Sequence, residues 1–162
     1  MSLQRGNPDT CGFRTAIGTH CLHILLLMAV AIPVPARLSA AERIPIDFPG
    51  GERVEALVAD DAEKRTKGLM GIPELKPREG MLFVFDAEAS HGMWMKNMLI
   101  SIDMVWLNGK KEIVAIEKSL PPCHRNECPV YGAGIDSLYV VEAPSGTIDR
   151  FHLQKGDFLK FP

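Results

Sequence analysis

The chain has 162 residues, 46% hydrophobic and 23% charged, with 18 Lys plus Arg against 20 Asp plus Glu and a net charge of -2. This is the composition of one ordinary globular domain. It carries no basic excess to neutralise phosphates or to form a polybasic membrane patch, so nucleic acid is not an expected partner.

The first feature along the chain is an unbroken apolar run of nine residues, Ile24 to Ile32, inside a stretch from Leu22 to Val34 that only His23 and Pro33 interrupt. A membrane-spanning helix needs about 20 apolar residues, whereas a signal-peptide core needs about 7 to 15. Arg5 and Arg14 precede the run, and the small residues Ser39 and Ala41 place a cleavage site before Glu42. Residues 1–41 therefore read as a signal peptide and 42–162 as a single globular β-rich domain, exported to the periplasm or the extracellular space. An N-terminal segment retained as an anchor is the alternative. After cleavage no stable membrane insertion is expected, and the domain is expected to be a monomer. It keeps 15 Lys plus Arg (18 less Arg5, Arg14 and Arg37) and 19 Asp plus Glu (20 less Asp9), a net charge of -4.

Ile44 to Phe48 alternates apolar and polar residues, and Val54 to Ala59 resumes in extended-type sequence after the turn residues Pro49-Gly-Gly51, which predicts two strands. Asp60 with Glu63 three residues on forms a capping-box pattern, predicting a short helix over about 60–70 that ends at Gly68 or Gly71. Gly80 to Phe85 is a compact apolar run of strand length. His91 to Lys96 and Ile102 to Leu107 are read as further strands, and Asn108-Gly109 marks a hairpin that returns through Glu112 to Ile116.

Cys123 and Cys128 lie in the Pro-rich segment Leu120 to Pro129 and are the cysteines left outside the leader. In an exported chain they pair as a disulfide; a metal pair helped by His124 is the alternative, for which no second cysteine pair exists. Ser137 to Glu142 reads as a strand, Pro144-Ser-Gly146 as a turn, Thr147 to Leu153 as a single helical turn and Phe158 to Phe161 as a terminal strand. Together these elements predict an α+β fold, mainly antiparallel β, with a compact barrel-like or sandwich sheet and one short covering helix.

The segment from His91 to Asp103 is the densest in chemistry. On a continuous strand His91, Met93 and Met95 share a face and form a row of one imidazole and two thioethers, a set that suits monovalent copper. Methionine is also an adaptable core filler. No cofactor is the first expectation, and Cu(I) the alternative.

Arg65-Thr-Lys-Gly-Leu-Met70, Gly80-Met-Leu-Phe-Val-Phe85, and Trp94-Met-Lys-Asn97 with Asp103 six residues on together resemble the family catalogued as domain of unknown function 192. The resemblance covers roughly residues 44–161, including the Pro-Cys to Cys-Pro loop, Tyr131, the strand ending in Glu142, and Gly156-Asp157. It implies a compact, largely β domain, often exported, whose activity is unknown. Met93 stands where that family has an aromatic residue, Met98 where it has Thr, and Ser101-Ile102 where it has Pro-Leu, which turns Met93 towards a packing role.

The matching polar residues Arg65, Lys96, Asn97 and Asp103, beside Trp94, make a candidate ligand site. Arg offers a bidentate fork for a carboxylate or phosphate, Lys a point charge, and Trp94 a flat face for a sugar or aromatic ring. The structural alternative pairs Asp103 with Arg65 or Lys96, uses Asn97 to cap a turn and packs Trp94 over the barrel mouth. No nucleophile elbow, zinc-protease helix or phosphate-cradling Gly loop is present. The expected function is a non-catalytic binding or accessory module for a small anionic or sugar-like ligand or a protein partner. A periplasmic Cu(I)-binding protein and a carboxylate-dependent hydrolase pairing Asp103 with Glu142 are the alternatives.

Overall fold

Residues 43–162 are described by a computed structural model, and the expected leader over 1–41 lies outside the described residues. Strand β1 (Arg43–Asp47) turns through a short 3-10 segment at Pro49–Gly51 into β2 (Arg53–Ala59), with which it pairs antiparallel. Helix α1 (Ala62–Lys67) follows. Its cap is Asp61, one residue later than the Asp60 expected: the Lys64 N–H donates to Asp61 Oδ1 at 2.8 Å, while Asp60 pairs with the Lys64 ammonium at 2.6 Å. Gly68 ends the helix with φ of 48°. Six residues are too few for a helix to hold on its own. Tertiary bonds fix it, for Arg65 Nη1 donates to the carbonyl oxygens of Asp60 at 2.9 Å and Val84 at 2.8 Å.

Strand β3 (Glu79–Ser90) runs parallel to β2, because the connection through α1 is a crossover rather than a hairpin. Strand β4 (Met93–Trp94) pairs with β7 (Val130–Tyr131) in a separate two-stranded sheet. Strands β5 (Ile102–Leu107), β6 (Ile113–Leu120) and β8 (Asp136–Pro144) complete the main sheet, whose order is β1-β2-β3-β8-β5-β6, and helix α2 (Thr147–Arg150) closes the list of elements. The fold is α+β and mainly antiparallel, as expected, with one parallel pair that the hairpin reading did not anticipate.

The main sheet is not closed by strand pairing. Its two edges are instead bridged by the C-terminal segment: Lys160 pairs with Asp47 on β1, while Leu159 N–H donates to Lys111 O at 3.0 Å and Ile113 N–H to Asp157 O at 2.8 Å beside β6. The expected terminal strand over Phe158–Phe161 thus exists as isolated bridges that tie both edges together.

Alternation along the strands sorts the core into two layers. Leu82, Val105 and Val141 face one cluster with Ile46, Phe151 and Leu159; Phe83, Met104, Trp106 and Val140 face the other with Met95, Met98 and Leu120. Every residue of β5 is buried, because this strand lies between β8 and β6 and is covered on both faces. Trp106 fills the second layer and demands a glycine above it. A Cβ on Gly132 would stand 2.3 Å from Trp106 Cε2, and Gly132 has φ of 70°.

The hairpin expected at Asn108-Gly109 joins β5 to β6, with Leu107 paired to Ile113; Asn108 N–H donates to Glu112 O at 3.0 Å, Lys111 N–H donates to Asn108 O at 2.9 Å, and Lys111 takes the left-handed conformation with φ of 64°. One local expectation is corrected. The strand expected over His91–Lys96 is cut to Met93–Trp94, because Asn97 is left-handed (φ 57°) and Met98 N–H turns back to Met95 O at 3.3 Å.

Candidate functional site

Helix α1 and the Gly68–Met70 turn stand opposite the 92–98 segment, and between them lies a groove of about 460 Å³. Phe83 and Phe85 of β3 and Leu69, Met70, Met93 and Met98 supply most of its apolar lining, with Trp94 on the outer wall. Arg65, Lys67 and Lys96 bring three cations to it, and Glu142 of β8 is the one carboxylate among its lining residues.

The outer wall is held by bonds that sequence alone does not display. The Trp106 indole donates to His91 O at 3.1 Å. Cys123 N–H donates to Met95 O at 2.9 Å, Asn97 N–H donates to Cys123 O at 3.1 Å, and Lys96 bridges Cys123 in parallel fashion. Cys123 and Cys128 form a disulfide, so the cysteine loop braces the strand end that carries Trp94 and Lys96. Trp94 remains 47% exposed, and the Lys96 ammonium lies 5.4 Å from its ring centroid, a cation–π distance.

Of the five residues expected to form the ligand site, Arg65, Trp94 and Lys96 meet at the groove, and Asn97 and Asp103 do not. The Arg65 fork is committed to the backbone carbonyls of Asp60 and Val84 and lies 3.5 Å from the Asp86 carboxylate, so it anchors α1 rather than offering a free bidentate site. Asn97 serves its turn: its carbonyl accepts from Gly71 N–H at 3.2 Å.

Asp103 is 1% exposed and works as a brace. Its Oδ1 accepts from Ser119 N–H at 2.8 Å and its Oδ2 from Ile148 N–H at 2.8 Å, capping α2 from a strand 45 residues away. It shares no face with Glu142. Asp103 is paired with Ala143 and Met104 with Glu142, and consecutive residues point to opposite sides of a sheet, so the two carboxylates expected of a hydrolase face different layers.

The His91, Met93 and Met95 row does not converge either, because the strand that would align it is broken. The His91 ring stacks on Phe85 with centroids 3.6 Å apart and its Nε2 lies 2.9 Å from Ala87 O, Met95 is 1% exposed in the core, and Met93 alone of the three lines the groove. Among the described residues no group of three or more His, Cys, Asp or Glu gathers to hold a metal ion.

Glu142 is the residue that sequence reasoning undervalued. It is 3% exposed, its Oε2 has no hydrogen-bond partner, and burial alone pushes its carboxyl from 4.5 up to about 8. At neutral pH it is therefore a protonated acid. The signal was a single carboxylate inside the apolar strand Leu138 to Ala143, where a charged residue is out of place unless it is paired or neutral.

A mixed six-stranded sheet with a helix standing over an apolar, cation-rimmed groove defines a small α+β domain with a candidate binding site. The chain belongs to the DUF192 family, described as an uncharacterized ACR, whose sequence profile matches residues 46–161. It is 32% identical to the UPF0127 protein PF1050 of Pyrococcus furiosus over 114 residues, 67% of this chain and 88% of that one. A UPF0127 protein of Thermococcus sibiricus is 31% identical over 102 residues, covering 62% of this chain and 61% of its own length. The fold is shared with a Sinorhizobium meliloti protein described as a "putative transcription regulator" (TM-score 0.65, 29% identity, 75% of this chain and 94% of that chain). A Novosphingobium aromaticivorans protein of unknown function shares it too, at TM-score 0.66 and 22% identity over 81% of this chain and 94% of that chain.

Proposed function

We propose that the protein is an exported, monomeric, non-catalytic binding module of the periplasm or extracellular space, and that its groove takes a small anionic ligand with an apolar body. The observation that carries this reading is the lining itself: an aromatic and methionine floor with lysines, Lys67 and Lys96, at the rim and no exposed carboxylate among the lining residues. Such a surface rewards apolar area and attracts negative charge. It offers few hydrogen-bonding groups to sugar hydroxyls, which favours the anionic over the sugar-like ligand. The leader pattern and the disulfide support export. The regulator description of the Sinorhizobium protein is not carried over, because residues 42–162 have 15 Lys plus Arg against 19 Asp plus Glu.

The test is an NMR titration of the full chain with 4-isopropylbenzoate as the anionic probe and maltose as the sugar probe, repeated on Lys96→Glu. Benzoate binding that shifts the Trp94 indole resonance and weakens roughly fivefold in the variant, about 1 kcal/mol, is the expected result. Maltose binding without benzoate binding, or a benzoate affinity untouched by the substitution, overturns the reading.

A further inference from the structure

The proposed ligand has an anionic end for the rim, and the groove floor states a second requirement. Glu142 lies there with an orphan oxygen, flanked across the sheet by Met81 and Met104, its partners on β3 and β5. The charged groups that face the groove from the surrounding elements are Arg65 and Lys67 on α1 and Lys96 beside β4, and none of them bonds the carboxyl. Native proteins leave few buried polar atoms unpaired, and one carried by a residue that lines a groove points to a partner that arrives with the ligand.

Two kinds of partner satisfy a buried carboxyl: a cation, which requires the acid to ionise, or an acceptor oxygen, which takes a hydrogen bond from the acid as it stands. Lysines at the mouth oppose the entry of a cation and favour an anion. The acceptor is the partner consistent with both ends of the groove.

We infer that Glu142 is a specificity residue that donates a hydrogen bond, as a neutral carboxylic acid, to an uncharged carbonyl-type oxygen on the inner end of the ligand. The ligand class is thus an anion with an apolar body and a second, uncharged acceptor. This deepens the reading of the groove as an anion site and rests on it. Burial holds the carboxyl protonated to about pH 8, which places the donor in its working form at neutral pH.

Three matched probes test it on the full chain: 4-acetylbenzoate, which carries the acceptor, 4-isopropylbenzoate, its apolar counterpart, and 4-(aminomethyl)benzoate, which carries a cation instead. At pH 6.5 the acetyl probe is expected to bind about fivefold to tenfold more tightly than the isopropyl probe. That advantage should vanish at pH 9.5 in the natural protein and at both pH values in Glu142→Leu. In Glu142→Gln, whose amide donates without titrating, it should persist at both pH values, a pattern that a packing role would not produce. Equal binding of the acetyl and isopropyl probes overturns the inference and leaves the anion site standing. Tighter binding of the aminomethyl probe, lost in the Gln variant, overturns it in favour of an ionised carboxylate. Failure of all three to bind overturns the anion site and this inference together.

Discussion

Replacing Glu142 with Gln should stabilise the protein, and by an amount that grows with pH. The carboxyl titrates near its ordinary 4.5 in the unfolded chain and at about 8 in the folded one, where desolvation penalises the charged form. Below about pH 4 both states hold the proton, and the group favours neither. Between these values the unfolded chain releases a proton that the folded chain keeps, so stability falls by about 1.36 kcal/mol per pH unit. The loss reaches roughly 3 kcal/mol at pH 7 and levels off near 5 kcal/mol above pH 8, a large share of a typical domain's stability. Gln is close in shape and carries no titrating proton, so the substitution removes this pH-dependent loss. Urea unfolding of both proteins, disulfide intact, from pH 4 to pH 9 measures the difference, in which the titrations of all other groups cancel. Coincident stabilities at pH 4 that diverge steadily towards pH 8 are expected. A difference that stays constant with pH, or a variant that is the less stable protein at pH 9, would refute the assignment of Glu142 as a buried neutral acid.

Gly132→Ala should cost about 3 kcal/mol, since the new methyl meets the Trp106 ring at 2.3 Å and the backbone must stay left-handed, and a loss below about 1 kcal/mol by denaturant unfolding would count against that packing. Asp103→Asn should lower stability by about 3 kcal/mol, because a neutral amide cannot replace both carboxylate hydrogen bonds to Ser119 and Ile148, while benzoate affinity stays within about twofold. A stable Asp103→Asn protein that no longer binds the probe would return Asp103 to the ligand site. Replacing Cys123 and Cys128 together by Ser opens a small loop worth about 2 kcal/mol, and it should also weaken benzoate binding, because Cys123 braces Met95 and Asn97 behind the groove wall. Unchanged affinity in that variant, measured under conditions where it is still folded, would remove the brace from the site.

Much of the strand pattern was legible because alternation and turn chemistry act locally. Ile102–Leu107 appears with the predicted bounds, and the Asp-rich start of α1 caps a helix one residue from where it was expected. The parallel pairing of β2 with β3 was signalled by a helix lying between two strands, and the hairpin reading passed over it. The broken strand after Trp94 was harder to see. Asn97 leaves the extended region because the cysteine loop and the Gly71 turn hold it from either side, through bonds to residues far along the chain.

The site divides along the same line. The family resemblance put Arg65, Trp94 and Lys96, from motifs far apart in the chain, in one candidate site, and the groove unites them. Sheet pairing decided the rest: it turned Asp103 inward under α2, fixed Arg65 to two carbonyls, and set Glu142 on the opposite face with an oxygen left unpaired. The sequence by itself determined the leader pattern, the β-rich composition and the element types, because those depend on local periodicity and turn residues. Which carboxylate is a brace and which faces the groove depends on register, where a shift of one residue exchanges the two sides of a strand, and only the tertiary structure decided it.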